Sequence, residues 1–197
     1  MKRVYFLLIL FVSVNLFSQN KQTSLEFQEQ LNKEYMDPKT SPLLPEDLEE
    51  FESLDFFPIN KELIVRAKFV KNEKTESVQM KTSTSRMSKY VLFGELYFTL
   101  KGKAFKLNLY QNLRLSKIEK YQEYLFLPFS DLTNGKSTYI GGRYLDMKIP
   151  TSDNVIIDFN KAYNPYCAYN YEYSCPKVPL ENQLDIAILA GVKKFHD

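Results

Sequence analysis

Apolar and polar residues alternate with a period of two along most of the chain after Glu62. Leu63, Val65 and Ala67, for example, are separated by single residues, as in a half-buried β-strand. The alternation predicts about eight strands, at residues 63–69, 78–84, 90–100, 104–110, 124–129, 138–149, 155–159 and 184–190. Their short connections favour an antiparallel sandwich or barrel over a parallel sheet. We therefore predict a mainly β fold with a short N-terminal helical segment.

The connections between these strands carry turn signals of their own. Lys101-Gly102-Lys103 is a short hairpin loop in which the glycine supplies a positive φ angle. Asn134-Gly135 predicts a tight turn, and Gly141-Gly142 interrupts the strand that follows it.

The N-terminal segment has a different period. Apolar residues from Thr23 to Met36 approach a helical spacing, with Ser24 placed to cap the first turn. Prolines in residues 37–45 exclude regular structure there, and Pro45 then begins one or two further helical turns. We expect residues 19–60 to form a helical and loop segment packed on a single β-rich domain, residues 61–197.

The first residues are typical of a secretory signal peptide at residues 1–18. Met1-Lys2-Arg3 is basic, residues 4–17 are almost wholly apolar, and Ser18-Gln19 is a suitable cleavage point. The apolar run is shorter than the ~20 residues of a membrane helix, which disfavours an uncleaved anchor. We predict an exported protein, periplasmic or extracellular, without a stable membrane anchor after cleavage.

Removal of the signal peptide changes the charge. The whole chain has 26 basic and 24 acidic residues, a formal net charge of +2. Lys2 and Arg3 leave with the signal peptide, so the mature protein is formally neutral. Nucleic-acid binding needs an excess of basic charge, so neither a nucleic acid nor an acidic partner is expected.

Export also bears on the two cysteines. An oxidising compartment favours a disulfide between Cys167 and Cys175, which would contribute on the order of 2–3 kcal/mol by closing a short loop. A structural zinc site needs four nitrogen or sulfur ligands, and the only histidine is His196 near the C-terminus. We predict neither a metal site nor a cofactor.

Between residues 124 and 182 the alternation gives way to residues rich in hydrogen-bonding groups, a departure that is typical of functional or strained sites. This stretch is similar to a bacterial family known as domain of unknown function 1684. The resemblance is strong over the C-terminal third of the chain, and the segments that carry it are Phe129-x-Asp131-x-Thr133-Asn134-Gly135, Gly141-Gly142-Arg143-Tyr144-Leu145-Asp146, Asp158-Phe159-Asn160-x-Ala162-Tyr163-Asn164-Pro165-x-Cys167-Ala168-Tyr169, Tyr173-x-Cys175-Pro176 and Glu181-Asn182.

The resemblance implies an exported or envelope-associated β-rich protein and supplies no established activity. Three positions depart from the family pattern. Val178 stands in place of proline, Gln183 in place of arginine, and Val192 in place of glutamate. If the two positions that are charged in the family, 183 and 192, belong to a site, this chain has an altered version of that site.

Arg143 is the first candidate for ligand binding. It follows two glycines, so the backbone can bend closely and aim the guanidinium at a carboxylate or phosphate. The alternative is a salt bridge to Asp146 or Asp158 that fixes the loop.

Asp158 and Asn160 form a second candidate, because they lie on one face of a strand and present oxygens to a sugar hydroxyl or a calcium ion. Calcium needs six or more oxygens, and turn-forming hydrogen bonds are the other use of these residue types.

Tyrosines add an aromatic surface that either stacks on a flat ligand or fills a shallow core. Asn164-Pro165 and Cys175-Pro176 fix the backbone at both ends of the predicted bridge. The candidate ligand-binding residues are Arg143, Asp146, Asp158, Asn160, Tyr163, Asn164, Tyr169, Glu181 and Asn182.

Enzyme classes are less well supported. A histidine-based hydrolase is excluded in practice, because the sole histidine lies in the C-terminal tail, and no strand is followed by a nucleotide-binding glycine loop. A hydrolase of cell-envelope sugars would need two facing carboxylates, for which Asp131, Asp146, Asp158 and Glu181 are available. Our first hypothesis is a domain that binds a small polar or anionic ligand at a disulfide-braced loop rich in tyrosine and asparagine. The alternatives are such a hydrolase and a structural or assembly protein of the envelope, and a protein partner stays open.

Overall fold

One antiparallel sheet of seven strands contains most of the regular structure. A computed structural model describes residues 22–74 and 76–196, so the predicted signal peptide lies outside the described residues. In chain order the strands are β1 Ile64–Lys71, β2 Ser77–Lys81, β3 Met87–Leu100, β4 Lys103–Asn112, β5 Tyr124–Phe129, β6 Arg143–Lys148 and β7 Asn154–Asp158. Their order across the sheet is β6-β5-β4-β3-β1-β7, with β2 paired to β3 beside this path. The sheet curls into a half-barrel, which confirms the mainly β prediction.

The hairpin between β3 and β4 forms as its sequence predicts. Leu100 pairs with Lys103, and the two intervening residues have positive φ angles, 49° at Lys101 and 77° at Gly102. Two residues with positive φ form the tight turn whose twist matches that of the flanking strands.

A bulge in β3 decides which side chains face the core. The register with β4 shifts between Leu92 and Gly94. Before the bulge Leu92 lies opposite Tyr110, and after it Leu96 lies opposite Leu107. Because one extra residue reverses the faces of a strand, the two halves of β3 contribute to different sides of the sheet.

Both faces of the sheet are partly buried. The inner face carries the larger core, formed by nineteen buried residues that include Leu96, Leu107, Leu125, Leu127 and Ile157. The opposite face carries a second group, which we call the outer cluster: Met80, Tyr90, Tyr110, Phe126 and Tyr144. A sheet face of this size is buried only when another part of the chain covers it. Here Tyr163 and Val178 of the segment after β7 pack against the outer cluster, and the N-terminal helix faces it across a cavity.

A backbone pair joins the half-barrel across its open side. Tyr144 on β6 and Tyr163, which follows β7, exchange two hydrogen bonds, with N···O distances of 2.9 and 3.0 Å. We call this contact the seam. It brings the segment after β7 against the outer cluster.

The helical prediction for the N-terminal segment is confirmed, with a different cap. Helix α1, Ser24–Met36, begins with a capping box in which Thr23 and Glu26 each accept a backbone N–H of the other. Ser24, the predicted cap, instead donates from its hydroxyl to the Asp158 carboxylate at 2.7 Å. Helix α2, Pro45–Glu49, begins at its proline as predicted. Three-residue 3-10 turns occur at Lys61–Leu63, Leu115–Lys117, Glu119–Tyr121, Phe159–Lys161, Tyr166–Ala168 and Leu180–Asn182.

A third cluster connects α1 to the C-terminal segment. It contains Leu31, Tyr35, Leu54, Tyr169 and Val192, all buried. Tyr35 and Tyr169 pack edge to face with ring centroids 5.0 Å apart, a preferred arrangement for aromatic pairs.

The predicted strand at residues 184–190 is wrong. Its alternating side chains are buried at Leu184, Ile188 and Ala190, but the segment joins no strand ladder, and its backbone bonds at Leu184 and Ile186 go to Ser130 and Leu132, which lie outside the strands. The Arg143 guanidinium and the Asp131 carboxylate bind the Ile188 backbone instead. The strand predicted at residues 138–149 is shorter than expected. It begins at Arg143, because the residues before Arg143 form turns.

Among residues 22–74 and 76–196, no helix is both long enough and apolar enough to cross a membrane.

Candidate functional site

A cavity of about 460 Å³ lies between the outer cluster and helix α1. Aromatic rings of the sheet form its floor, α1 forms one wall, and the segment that contains Tyr163, Tyr166 and Cys175 forms another. The residues that line it are Gln22, Phe27, Gln30, Leu31, Glu34, Tyr90, Leu115, Tyr124, Phe126, Tyr144, Asp146, Tyr163, Pro165, Tyr166, Cys175 and Pro176. We call it the tyrosine pocket.

Asp146 is the polar centre of the tyrosine pocket. The hydroxyls of Tyr163 and Tyr124 both donate to its Oδ1, at 2.6 and 2.9 Å. These hydroxyls come from different elements, β5 and the segment after β7, so the carboxylate joins both sides of the seam. Two fixed donors hold the carboxylate in one orientation, as a binding site requires.

The Asp146 carboxyl reaches solvent through the open pocket, although protein surrounds it on most sides. This enclosure raises the pKa of Asp146, the hydrogen bonds from Tyr163 and Tyr124 oppose the rise, and the charge of Glu34 adds to it. Burial, followed by the charge of Asp146 and the hydrogen bonds to it, raises the pKa of both tyrosines, so their hydroxyls stay protonated and remain donors.

The charge of the tyrosine pocket is negative. Glu34 on α1 lines it together with Asp146, and among the lining residues of the described chain there is no Lys, Arg or His. Seven of the lining residues are aromatic. Ring faces carry partial negative charge, so they reinforce the attraction of the carboxylates for a cation.

A second cavity of about 500 Å³ adjoins the tyrosine pocket and shares Tyr124 and Asp146 with it. Its lining includes Lys120, Lys148 and Glu123. Asp146 therefore stands between an acidic, aromatic pocket and a pocket of mixed charge.

Arg143, the predicted anion-binding residue, does not line the tyrosine pocket. Its side chain is completely buried, and Nη2 donates to Asp131 Oδ2 and to the Ile188 carbonyl, both at 2.8 Å. Nη1 donates to the Ala190 carbonyl. The alternative of a salt bridge was correct in kind, but the partner is Asp131 rather than Asp146 or Asp158. Arg143 is therefore unavailable to a ligand.

Asp158 and Asn160 hold the N-terminal segment. Asp158 accepts the hydroxyl of Ser24 and the side-chain amide of Asn160, the latter at 2.9 Å. Asn160 is fully buried and exchanges two hydrogen bonds with the backbone of Asn60. The turn-forming interpretation applies to both residues.

Asn164 and Tyr169 hold the C-terminal segment. Asn164 is fully buried and donates to the Lys193 carbonyl at 2.8 Å. Tyr169 packs between the rings of Tyr35 and Phe195. Both lie behind the pocket wall rather than on it.

Asn182 bridges two strands of the sheet, and Glu181 is exposed to solvent. The strands β4 and β5 pair at a single position, Tyr110 with Phe126, and then separate. The buried Asn182 side chain fills the gap by exchanging hydrogen bonds with the backbone of Asn108 and donating to the Pro128 carbonyl. It acts as a substitute for the missing backbone pairing.

Of the nine predicted ligand-binding residues, the structure thus brings together only Asp146 and Tyr163 in the tyrosine pocket.

Residues 49–193 of the chain match the model of a family described as "Protein of unknown function (DUF1684)". The chain belongs to the DUF1684 family. Asp146 and its two tyrosine donors lie inside the matched stretch, whereas Glu34 lies outside it.

This DUF1684 chain is also similar to a solved structure. It is similar to the uncharacterized protein from gene locus rrnAC0354 of Haloarcula marismortui, whose structure was determined in solution by NMR. The TM-score is 0.67 at 32% sequence identity, over 84% of this chain and 89% of the archaeal chain. No curated protein matches the chain.

The predicted disulfide is not formed in the structure of this DUF1684 chain. Cys167 and Cys175 are both free thiols, partly buried. Cys175 Sγ accepts a hydrogen bond from the backbone N–H of Cys167 at an N···S distance of 3.2 Å. The two residues are therefore neighbours, as their spacing suggested, but each sulfur has hydrogen-bonding partners instead of a covalent one.

The acids proposed for hydrolysis are dispersed in this DUF1684 fold. Asp131 pairs with Arg143, Asp158 binds Ser24 and Asn160, and Glu181 is exposed, so only Asp146 lines the pocket. Within the described residues there is no group of three His, Cys, Asp or Glu side chains that could hold a metal ion.

Several pocket residues of the DUF1684 chain were missed by sequence reasoning. Glu34 belongs to a helix more than one hundred residues away from Asp146 in the chain. Tyr124, Phe126 and Tyr144 alternate with buried leucines on β5 and β6, so both faces of these strands are apolar. Such two-sided strands signal a second covered face, which was the available clue.

Proposed function

We propose that this DUF1684 domain binds a small organic cation in the tyrosine pocket. The observation that carries the proposal is the Asp146 carboxylate, held by two tyrosine hydroxyls at the centre of an aromatic, acidic cavity. The ammonium group of the ligand would meet Asp146, and its apolar part would pack against the rings of Tyr90, Phe126 and Tyr144.

The hydrogen bonds of Asp146 support this orientation. Both tyrosine hydroxyls donate to Oδ1, so Oδ2 is the oxygen that we expect to face the ligand. A carboxylate and ring faces together are the usual partners of organic ammonium ions, and each ring contact contributes about 0.5–2 kcal/mol. The rings are already packed against one another, with Phe126 and Tyr144 centroids 4.6 Å apart, so little ordering is needed on binding.

The size of the cavity fits a ligand of this class. A volume of about 460 Å³ is within the range of small-molecule sites. An anion, which the sequence suggested, would meet two carboxylates in the tyrosine pocket and no compensating cation among the described lining residues. A cation is therefore better supported than an anion.

Export of the mature protein remains part of this proposal, since a secreted or periplasmic binding domain meets small solutes of its surroundings. The support is the basic and apolar N-terminal sequence. The hydrolase and assembly alternatives stay predictions. The dispersal of the four candidate acids gives the hydrolase no support.

The decisive experiment compares a cation with a neutral molecule of the same shape. Choline and 3,3-dimethyl-1-butanol differ essentially by nitrogen replacing carbon, so isothermal titration with both isolates the effect of charge. We expect choline, or another ammonium ion in a small panel, to bind at least tenfold more tightly than its neutral counterpart, because about 1.4 kcal/mol of electrostatic preference gives that ratio.

Matched variants locate the site. Asp146→Asn keeps an oxygen for both tyrosine hydroxyls and removes the charge, and it should abolish the preference for the cation. Glu181→Gln removes an exposed acid outside the pocket and should leave binding unchanged. Equal affinity of both probes for the wild type, or an unchanged preference in Asp146→Asn, would refute the proposal.

A further inference from the structure

The two free thiols form a second site with chemistry of its own. Cys167 lies on the 3-10 turn Tyr166–Ala168, and Cys175 lies on the wall of the tyrosine pocket. Both are partly buried, so small reagents have access to them. This feature is independent of the charge of the ligand proposed above.

The scaffold fixes the two cysteines beside each other. The backbone of Cys175 exchanges hydrogen bonds with Ser83: its N–H donates to the hydroxyl at 3.0 Å, and its carbonyl accepts the Ser83 N–H at 2.8 Å. The turn that carries Cys167 is closed by backbone bonds to Pro165 and Tyr166. The contact of Cys175 Sγ with the Cys167 N–H, 3.2 Å, is therefore set by two braced segments.

Cys167 has a surrounding that favours its thiolate. The Cys175 thiol donates to it, the Tyr139 hydroxyl lies 3.8 Å from its sulfur, and together with Ser83 they lower the pKa of Cys167 to about 6 against the opposing effect of burial. The pKa of Cys175 is raised, chiefly by the Cys167 sulfur and by burial. One member of the pair is therefore the nucleophile and the other keeps its proton.

We propose that Cys167 and Cys175 are a thiol–disulfide exchange site for small-molecule disulfides. The Cys167 thiolate attacks one sulfur of the small disulfide, whose S–S bond breaks and releases one thiolate, which takes up a proton. Cys175 then loses its proton and attacks Cys167 Sγ in the mixed disulfide, and the second small thiol leaves. The dithiol is oxidised by two electrons, and the small disulfide is reduced to two thiols.

The structure indicates that this pair is reversible rather than a permanent brace. The reduced form has stabilising contacts of its own, namely the contact of Cys167 Sγ with the Tyr139 hydroxyl at 3.8 Å and its hydrogen bond with the Cys175 thiol. Stabilisation of a reduced dithiol makes its disulfide easier to reduce. A bridge that only braced the loop would have no need of these contacts.

The test is equilibration of the mature protein in glutathione buffers of varied ratio, followed by acid quench, alkylation and mass spectrometry. We expect a single transition between dithiol and intramolecular disulfide within the accessible range of ratios. A bridge that stays closed in the most reducing buffer, or thiols that stay free in the most oxidising one, would overturn the proposal.

Single variants assign the roles. With oxidised glutathione, Cys175→Ser should accumulate a mixed disulfide on Cys167 at least tenfold faster than Cys167→Ser accumulates one on Cys175. The iodoacetamide alkylation rate of Cys167 should rise with a midpoint near pH 6 in the wild type, and Cys175→Ala should move the midpoint toward the ordinary thiol value of about 8.5. Equal rates for the two serine variants, or an unmoved midpoint, would contradict the assignment.

Discussion

Replacement of Arg143 by methionine tests whether the buried ion pair organises the C-terminal segment. Methionine replaces the apolar stem of the side chain up to about Nε, and it removes the guanidinium with its charge and all of its donors. Asp131 Oδ2 then loses its partner at 2.8 Å, and the carbonyls of Ile188 and Ala190 lose theirs. Asp131 Oδ1 keeps Thr133 and the Ile188 N–H, so the carboxylate stays buried without a counter-charge.

The expected cost follows from that buried, uncompensated charge. Both side chains of the pair are inaccessible to solvent, and breaking such a pair by removing one partner costs about 3–5 kcal/mol. For a domain of this size, 1 kcal/mol corresponds to roughly 2–4 °C in Tm, so the melting temperature should fall by roughly 6–20 °C. Urea unfolding gives the free energy directly, and an unchanged slope shows that both proteins unfold from equally folded states.

A second substitution separates the charge from the lost packing. Asp131→Asn keeps the acceptor Oδ1 and removes the charge, so the double variant should be less destabilised than the sum of the two single variants, by about 1–3 kcal/mol. Lys103→Ala, which breaks an exposed pair with Asp185 at 2.7 Å, is the control and should leave Tm essentially unchanged. A loss below about 1 kcal/mol for Arg143→Met, or strict additivity in the cycle, would refute the reasoning.

Three further substitutions test other parts of the structure. Asn182→Ala removes the side chain that fills the gap between β4 and β5 and leaves buried backbone groups unpaired. Urea unfolding should show that the free energy of unfolding falls by about 3 kcal/mol or more, and a fall below about 1 kcal/mol would contradict this role. Gly142→Ala places a Cβ 2.7 Å from the Phe129 carbonyl at a φ of +86°, so it should destabilise by about 2 kcal/mol or more, and a neutral result would contradict the close approach. The raised pKa of Asp146 means that its protonated form is favoured in the folded state, so stability from this group is present at low pH and lost as pH rises through that pKa. The ligand-free Asp146→Asn variant should therefore gain in Tm relative to the wild type as pH rises from 4 to 8, and a Tm difference that is constant with pH would contradict the raised pKa. Cation binding by the wild type, measured by titration, should weaken as pH falls, and an affinity that does not change with pH would contradict the role of the Asp146 charge.

Elements fixed by near neighbours in the chain were predictable. The hairpin at Lys101 and Gly102, the helix that begins after Thr23 and the helix at Pro45 depend on residues a few positions apart. The alternation along β1 and β4 also predicted the bounds of these strands closely, because one face of each strand packs on the core.

Features fixed by distant contacts were not predictable in the same way. Residues 184–190 have the alternation of a strand, yet the side chains of Arg143 and Asp131 bind their backbone from more than forty positions away. The pairing of Arg143 depends on which of several acids the fold brings near it, and spacing alone does not decide that. Glu34 reaches the pocket only because α1 covers the outer cluster.

The departure from alternation after residue 124 coincides with irregular backbone and with part of the tyrosine pocket. Asn160, Asn164 and Asn182 each satisfy buried backbone groups where regular pairing stops. Asp146 and Tyr163 lie in the same region and line the tyrosine pocket. A run of hydrogen-bonding residues therefore has two origins in this chain, irregular backbone and the lining of a pocket. The three-dimensional contacts distinguish the residues of one kind from those of the other.

The seam would couple the proposed cation binding to closure of the sheet. Tyr144 and Tyr163 join the two edges of the half-barrel through their backbones, their rings line the pocket, and Asp146 binds the Tyr163 hydroxyl across the same junction. Opening of the barrel would separate the two halves of the pocket, so a cation bound as proposed would stabilise the closed barrel. Amide protons of Tyr144 and Tyr163 should then exchange with solvent deuterium more slowly in proportion to occupancy, while those of the hairpin at Gly102 keep their rate. The sheet does not close by strand pairing at the seam. Amide exchange at the seam would therefore report whether the pocket is occupied.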